Sequence, residues 1–204
     1  MTGQRPLVLA TANQHKIVEL SRILATSAVP VELVGLERFP GAPDVAETGA
    51  TFTENARLKA VAIAEFTGLP AVADDSGLCA DALNGMPGVL SARWAGRRGD
   101  DAVNLRLLLD QLADVPDERR RAHFACVAVL VLPSGAEYVS EGAVYGRLIR
   151  EPRGSGGFGY DPIFVPDGES RTTAELSPED KDAISHRGKA LRGLVPAIAE
   201  LADR

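Results

Sequence analysis

The chain has 204 residues, 45% hydrophobic and 25% charged, with a formal net charge of −6. This is an ordinary globular balance, with room for one large domain or two small lobes around a sizeable core. The acidic balance speaks against a protein held on nucleic acid by general electrostatics, and no apolar run reaches the roughly 18 residues of a membrane span.

Leu7-Val8-Leu9-Ala10 reads as a short buried strand, with no signal-peptide pattern before it. Thr11-Ala12-Asn13-Gln14-His15-Lys16 follows as a polar turn. Ile17, Leu20, Ile23 and Leu24 then share one helical face. Asn13 is the expected N-cap. Such a strand–turn–helix aims backbone N–H groups at whatever sits above it, and a phosphate fits there. Lys16 adds a mobile positive charge. The Gly-x-x-x-x-Gly-Lys spacing of a P-loop is missing, so a capped helix with an exposed lysine is the plainer reading.

Residues 31 to 50 look irregular, since Pro40, Gly41, Pro43 and Gly49 break any long element. From Thr53 to Phe66 the composition favours helix. Asn55 and Lys59, four apart, share a face. That face is either solvated or aims a second lysine at phosphate.

Ala71-Val72-Ala73 reads as the end of a buried strand, and Asp74-Asp75-Ser76-Gly77 follows at once. Adjacent residues on an extended chain point to opposite faces. The two aspartates therefore cannot enter the same core, and at least one is expected to face solvent or a cleft. Paired carboxylates suit a hard divalent cation that bridges to phosphate, and one of them can polarise a water molecule. A polar turn between strands is the alternative. Leu78 to Leu83 is the candidate for a second short strand. Cys79 and Cys126 lie in apolar runs without metal-ligand spacing. Buried free thiols are expected, which suits a reducing cytoplasm.

Asp100 to Leu112 reads as a buried helix and Asp114 to Arg121 as a charged connection. Phe124 to Leu132 reads as a central strand. Glu137 to Ser140 and Ala143 to Ile149 are further strand candidates. Trp94, the single tryptophan, is expected to pack in a core or a domain interface. Early strand–helix alternation and later hairpins point to a mixed sheet with helices packed on it, in two lobes.

Gly154-Ser155-Gly156-Gly157-Phe158-Gly159-Tyr160-Asp161-Pro162 lets the backbone approach a ligand closely. Phe158 and Tyr160 offer flat faces to a base. Ser177 and Pro178 start a helix, placing Lys181 in its first turn, where a cation opposes the dipole. Ser185-His186-Arg187-Gly188-Lys189 opens a last helix, which Pro196 is expected to bend. His186 and Arg187 are adjacent donors or ordinary surface.

Five motifs occur in order: Thr11-x-Asn13-x-x-Lys16, Glu47-Thr48-Gly49-x-Thr51-Phe52-x-Glu54-Asn55-Ala56-x-x-Lys59-Ala60, Asp74-Asp75-Ser76-Gly77-Leu78, Gly157-Phe158-Gly159-Tyr160-Asp161-Pro162-x-Phe164 and Ser185-His186-Arg187-Gly188-Lys189-Ala190-Leu191. This series resembles the inosine triphosphate pyrophosphatase family, also called Ham1-like or RdgB-like dITP/XTP pyrophosphatases, across nearly the whole chain. The resemblance implies an α/β fold with a mixed central sheet flanked by helices, as a single domain of two lobes with a long active-site cleft. It implies a cytoplasmic homodimer that hydrolyses ITP, dITP and XTP to the monophosphate and pyrophosphate with magnesium, binding neither nucleic acid nor membrane.

By the same resemblance, Thr11, Ala12, Asn13, Gln14, His15 and Lys16 hold the triphosphate. Glu47 and Asp75 serve the metal, with Asp74 beside them, and Asp75 accepts the proton of the attacking water. Ser76 and Lys59 touch phosphate, and Asn55 supports the site. Phe158, Gly159, Tyr160, Asp161, Lys181, His186 and Arg187 form the base pocket. Hypoxanthine and xanthine carry a 6-oxo acceptor where adenine carries an amino donor, so donors from His186 and Arg187 favour them. Asp182 and Trp94 depart from the commoner family residues and bear on fine substrate preference. Two other readings stay open: another modified-nucleotide preference, such as pyrimidines, and a nucleotide sensor without catalysis.

Overall fold

Alternation along the first strand sets the architecture. In the computed structural model, which describes residues 5–11, 14–96 and 99–202, β1 (Arg5–Leu9) buries Leu7 and Leu9 in one core cluster and Val8 in another. Both faces of the strand are therefore covered, which is why its sequence is a continuous apolar run. Parallel to β1 run β2 (Val31–Val34) on one side and β3 (Ala71–Ala80) on the other. The full sheet has the order β2-β1-β3-β4-β5-β6, with β4 at Arg121–Val131, β5 at Glu137–Leu148 and β6 at Phe164–Pro166. β5 and β6 pair antiparallel, so the sheet is mixed.

The helices are α1 (Gln14–Thr26), α2 (Phe52–Thr67), α3 (Asp101–Gln111), α4 (Pro178–Ile184) and α5 (His186–Ala202). The chain divides into two compact units. The first comprises residues 1–75, 126–142 and 187–204, and the second residues 76–125 and 143–186.

In the first unit, α1 and α5 cover one sheet face through Leu20, Ile23, Leu24, Leu191, Leu194 and Ile198, against Leu7, Leu9, Val72, Cys126, Ala128 and Leu130. α2 covers the other face through Ala56, Ala60, Ile63 and Ala64, against Val8, Ala71, Ala73, Val127 and Val129. The small residues of α2 let the helix lie close to the sheet. Each fully buried leucine or isoleucine contributes about 1.5–3 kcal/mol. In the second unit, Leu108 of α3 and Leu112, the residue that follows the helix, pack with Leu78, Val144, Leu148, Tyr160, Ile163 and Phe164. Partly buried Trp94 packs against this cluster and donates from its indole N–H to Gln111 at 2.8 Å.

Several expectations are corrected. The acid pair does not close a strand. Asp74 and Asp75 lie in the middle of β3, and residues 78–80 continue the same strand, followed by a 3-10 turn at Asp81–Leu83. Residues 31–50 are not wholly irregular, since Val31–Val34 pairs with β1 and Leu36–Arg38 forms a 3-10 turn. The two strand candidates between Glu137 and Ile149 are one strand. The expected last helix is present, with α5 running from His186 to Ala202 and Pro196 inside it. Within the charged connection, Arg120 is 2% exposed, and its guanidinium donates to the carbonyls of Leu112, Leu148 and Ile149. Among the described residues no helix is long and apolar enough to cross a membrane.

Candidate active site

The parity of β3 decides what each aspartate meets. Val72 faces the α1/α5 side and Ala71 and Ala73 face α2. Two residues on from Val72, Asp74 continues toward α1 and α5. Two residues on from Ala73, Asp75 continues toward α2. Neither carboxylate is exposed, at 4% and 8%. Of the two expected surroundings, open solvent is ruled out for both, and each face of the strand supplies its own cations and donors.

On the first face Lys16 of α1 donates to both oxygens of Asp74, at 2.7 and 2.8 Å. Arg187 of α5 donates from Nε to Asp74 Oδ2 at 3.1 Å, and its Nη1 lies 3.6 Å from Glu19. The Cys126 thiol sits 3.8 Å from the same carboxylate. Burial works to raise the Asp74 carboxyl, but the charges of Lys16 and Arg187 outweigh it and hold the group well below the usual carboxylate range. Burial, then the Asp74 charge, pushes the Cys126 thiol well up, so it stays protonated. Burial works to lower the Arg187 guanidinium, but Asp74, Cys126 and Glu19 together outweigh it and hold the group charged.

On the second face Asn55, fully buried, donates from Nδ2 to Asp75 Oδ2 at 3.0 Å and accepts the Gly49 N–H at 2.8 Å. The same side chain thus fixes Asp75 and the loop that carries Glu47. A Cβ at Gly49 would stand 2.8 Å from that amide oxygen, so the close approach requires glycine. The loop is also sewn to α2 by a capping box. Thr51 accepts from the Glu54 N–H at 3.1 Å, and the Glu54 carboxylate accepts from the N–H groups of Ala50 and Thr51. One turn past Asn55, Lys59 lies 3.0 Å from Glu47 and 3.8 Å from Asp75. Two carboxylates from separate segments therefore share one ammonium.

Among the described residues no three His, Cys, Asp or Glu side chains form a ready-made metal cage. A magnesium-type cation needs less, taking one or two carboxylates and completing its shell with water and substrate phosphate. Glu47 and Asp75 are such an oxygen pair and fit it. Both oxygens of Asp74 already accept from Lys16.

The second unit holds the other group. Asp161 accepts from Thr173 Oγ1 at 2.8 Å, from the Phe158 N–H at 2.8 Å and from Lys181. Lys181 closes the first turn of α4, its N–H donating to the Ser177 carbonyl at 2.9 Å, and because that helix has only seven residues it lies in the last turn too, where a cation suits the dipole. Its ammonium lies 5.0 Å from the centre of the Phe158 ring, which is 58% exposed. Gly159 adopts φ +59°, a left-handed turn between the exposed Phe158 and the buried Tyr160. The Tyr160 hydroxyl donates to the Ser91 carbonyl at 2.9 Å, and burial pushes its pKa up. His186 stacks on Phe124 at 5.1 Å, whereas the next residue, Arg187, belongs to the Asp74 cluster.

The geometry thus joins Lys16, Asp74 and Arg187, then Glu47, Asn55, Lys59 and Asp75, and separately Phe158, Asp161 and Lys181. Thr11 closes a turn at the end of β1, with its N–H donating to the Leu9 carbonyl at 2.8 Å. Ser76 continues β3 past Asp75 and is partly buried. Ala12 and Asn13 lie outside the described residues, and Gln14 and His15 supply the first-turn backbone of α1. Sequence reading missed Glu19, Cys126, Thr173 and Phe124. Only Glu19 left a signal, three residues after Lys16 on one helical face.

Residues 7–197 match the model of the Ham1 family. The chain is 64% identical over 195 residues to the dITP/XTP pyrophosphatase of Streptomyces coelicolor, covering 96% of this chain and 98% of that one. The crystal structure of a nucleoside-triphosphatase / dITP/XTP pyrophosphatase from Mycobacterium abscessus aligns with TM-score 0.81 at 57% identity, covering 95% of this chain and 99% of that one. The structure of a HAM1 protein from Coxiella burnetii aligns with TM-score 0.89 at 43% identity, covering 97% and 100%.

Proposed function

Because this chain belongs to the Ham1 family, we propose that the charged residues of its first unit hydrolyse the non-canonical purine nucleoside triphosphates ITP, dITP and XTP to the monophosphate and pyrophosphate. Such an enzyme clears deaminated purines from the nucleotide pool. The observation that carries the mechanism is the convergence of Glu47 and Asp75 on Lys59, beside Asp74 with Lys16 and Arg187. Acidic and basic groups in this alternation suit a polyphosphate and its counter-ion.

Glu47 and Asp75 would hold a divalent cation, magnesium in this reading, which when bound offsets the charge of the phosphates. Lys59 and Lys16 meet the remaining negative charge, with the Thr11 to Lys16 turn and Ser76 as further phosphate donors. Asp74 keeps Lys16 and Arg187 in place by its buried charge. Asp75, oriented by Asn55, accepts the proton of the attacking water. The water oxygen bonds to the α-phosphorus, the bond to the bridging oxygen of the β-phosphate breaks, and pyrophosphate leaves. Catalysis is then mostly positioning and charge stabilisation.

Phe158, Gly159, Tyr160, Asp161, Lys181, His186 and Arg187 read the base. The exposed Phe158 ring offers it a stacking face. Tyr160 acts from behind, since its ring and hydroxyl are buried. Donors that pair with a 6-oxo group are left facing an amino group when adenine enters, which disfavours ATP. We further read the two units as one domain, and the protein as a cytoplasmic homodimer, on the family resemblance.

A panel of ITP, dITP, XTP, ATP and GTP, with released pyrophosphate as the readout, tests the assignment. ITP and XTP are expected to be preferred by orders of magnitude, and activity on ITP no better than on ATP would reject it. Asp75→Asn should keep the fold and lose turnover by about 10³-fold or more. Unchanged turnover would remove Asp75 as the base.

A further inference from the structure

The Gly-rich loop is held to its unit partly by a carboxylate outside the motifs. α3 begins with two aspartates. Asp100 is the N-cap and accepts from the Val103 N–H at 3.2 Å. With the cap satisfied, the Asp101 carboxylate serves another purpose. Its Oδ2 accepts from the Gly159 N–H at 2.8 Å, across 58 residues of sequence.

The bonds around Phe158 are of two kinds. Its own N–H donates to the Asp161 carboxylate and its carbonyl accepts from the Asp161 N–H at 3.2 Å. Those bonds shape the turn. The bonds of Tyr160 Oη to Ser91 and of the Gly159 N–H to Asp101 tie the turn to the rest of the unit. The Asp101 bond grips the peptide between Phe158 and Gly159, next to the exposed ring. Gly159, at φ +59°, has no side chain to steady that peptide from within.

We propose that Asp101 is a positioning residue for base selection: by holding the Phe158–Gly159 peptide through the Gly159 N–H, it fixes the Phe158 ring where the purine stacks. This rests on the reading of the loop as the base site. Asp101 acts here through the loop backbone, so its loss acts on base binding and leaves the polyphosphate site alone.

The experiment compares Asp101→Ala, Asp101→Asn and Phe158→Ala with the unaltered enzyme, all with thermal melts. The readouts are kcat and KM for ITP, the ITP-to-ATP ratio of kcat/KM, and the inhibition constant of inorganic tripolyphosphate, which has no base. Asp101→Ala should raise the ITP KM about five-fold, as expected for loss of a charge-assisted hydrogen bond at the surface. It should lower the ITP-to-ATP ratio and leave both kcat and the tripolyphosphate constant unchanged. Asp101→Asn, which keeps an oxygen acceptor, should restore most of the KM. An unchanged KM and ratio in Asp101→Ala, with a raised KM in Phe158→Ala, overturns the role of Asp101 alone. A tripolyphosphate constant that rises in step with KM overturns it as general loosening. An unchanged KM in Phe158→Ala overturns the base-site reading and this inference with it.

Discussion

Asn55 donates to Asp75 at 3.0 Å from a position with no exposed surface, and its other end takes the Gly49 N–H. One amide therefore sets the angle of the proposed base and the path of the loop bearing Glu47. Asn55→Ala leaves a buried carboxylate oxygen and a backbone N–H without their partner, at about 1–3 kcal/mol each. The expected outcome is a melting temperature lower by several degrees and a kcat reduced by about 10²-fold, since misplacement of a catalytic group by an ångström has that scale. Calorimetry and initial rates at saturating ITP check both. A kcat within two-fold of the unaltered enzyme would detach Asn55 from the chemistry.

Asp74 should make stability depend on acid. Its folded-state pKa is lowered from 3.8, because Lys16 and Arg187 outweigh burial. A lowered pKa means that the unfolded chain binds the proton more readily. The contribution is then fully present above the ordinary carboxylate range and is lost as pH falls below about 4 toward the folded value. Asp74→Asn leaves two partly buried cations facing a neutral group. It should cost about 3–5 kcal/mol at pH 7 and flatten the acid limb. Urea unfolding from pH 7 to pH 3 measures both. An acid limb as steep as that of the unaltered protein would show that other carboxylates carry it.

The alternation that makes these predictions was partly legible in the chain. Leu7 to Ala10 and Phe124 to Leu132 are apolar runs, and both are covered on two faces. The acidic pair and the lysines at positions 16 and 59 stand out by residue type. The continuity of β3 did not, because Asp-Asp-Ser-Gly has the composition of a turn, and only cations and an amide donor from distant helices make it tolerable inside a sheet. Val31–Val34 was hidden by its shortness. That Lys181 also stands in a last turn is not legible, because the four residues after it do not announce where α4 stops. Arg120 looked like surface, since a charge in a charged connection gives no sign of the three carbonyls that take it inside.

Lys59 stands between Glu47 and Asp75, and this predicts opposite effects on the cation and the nucleotide. Lys59→Met leaves the carboxylate pair without its shared ammonium, so the affinity for magnesium alone should rise about ten-fold. The KM for ITP should rise as well, since a phosphate contact is lost. Glu47→Gln removes one oxygen ligand and should weaken magnesium by about 10–100-fold. Magnesium titration by calorimetry without nucleotide separates these from effects on substrate. Identical magnesium affinity in all three proteins would place the cation elsewhere.

Cys126 and Cys79 should be chemically silent in the native enzyme. Cys126 is 1% exposed, and burial, with the Asp74 charge 3.8 Å away, raises its pKa well above 9.0. Cys79 is buried too, and its thiol is raised by burial and by Asp81. The thiolate is the reactive species, so both shifts work against alkylation. Iodoacetamide at pH 8 should add nothing to the folded protein over an hour and two groups after denaturation, read by intact mass. Cys126 should also report on the Asp74 cluster. In Asp74→Asn the loss of the neighbouring charge lowers the thiol pKa, and the weakened ion cluster opens more often. Cys126 should then be labelled before Cys79. Equal rates at the two thiols in that variant would show that the buried charge at Asp74 does not govern the packing around it.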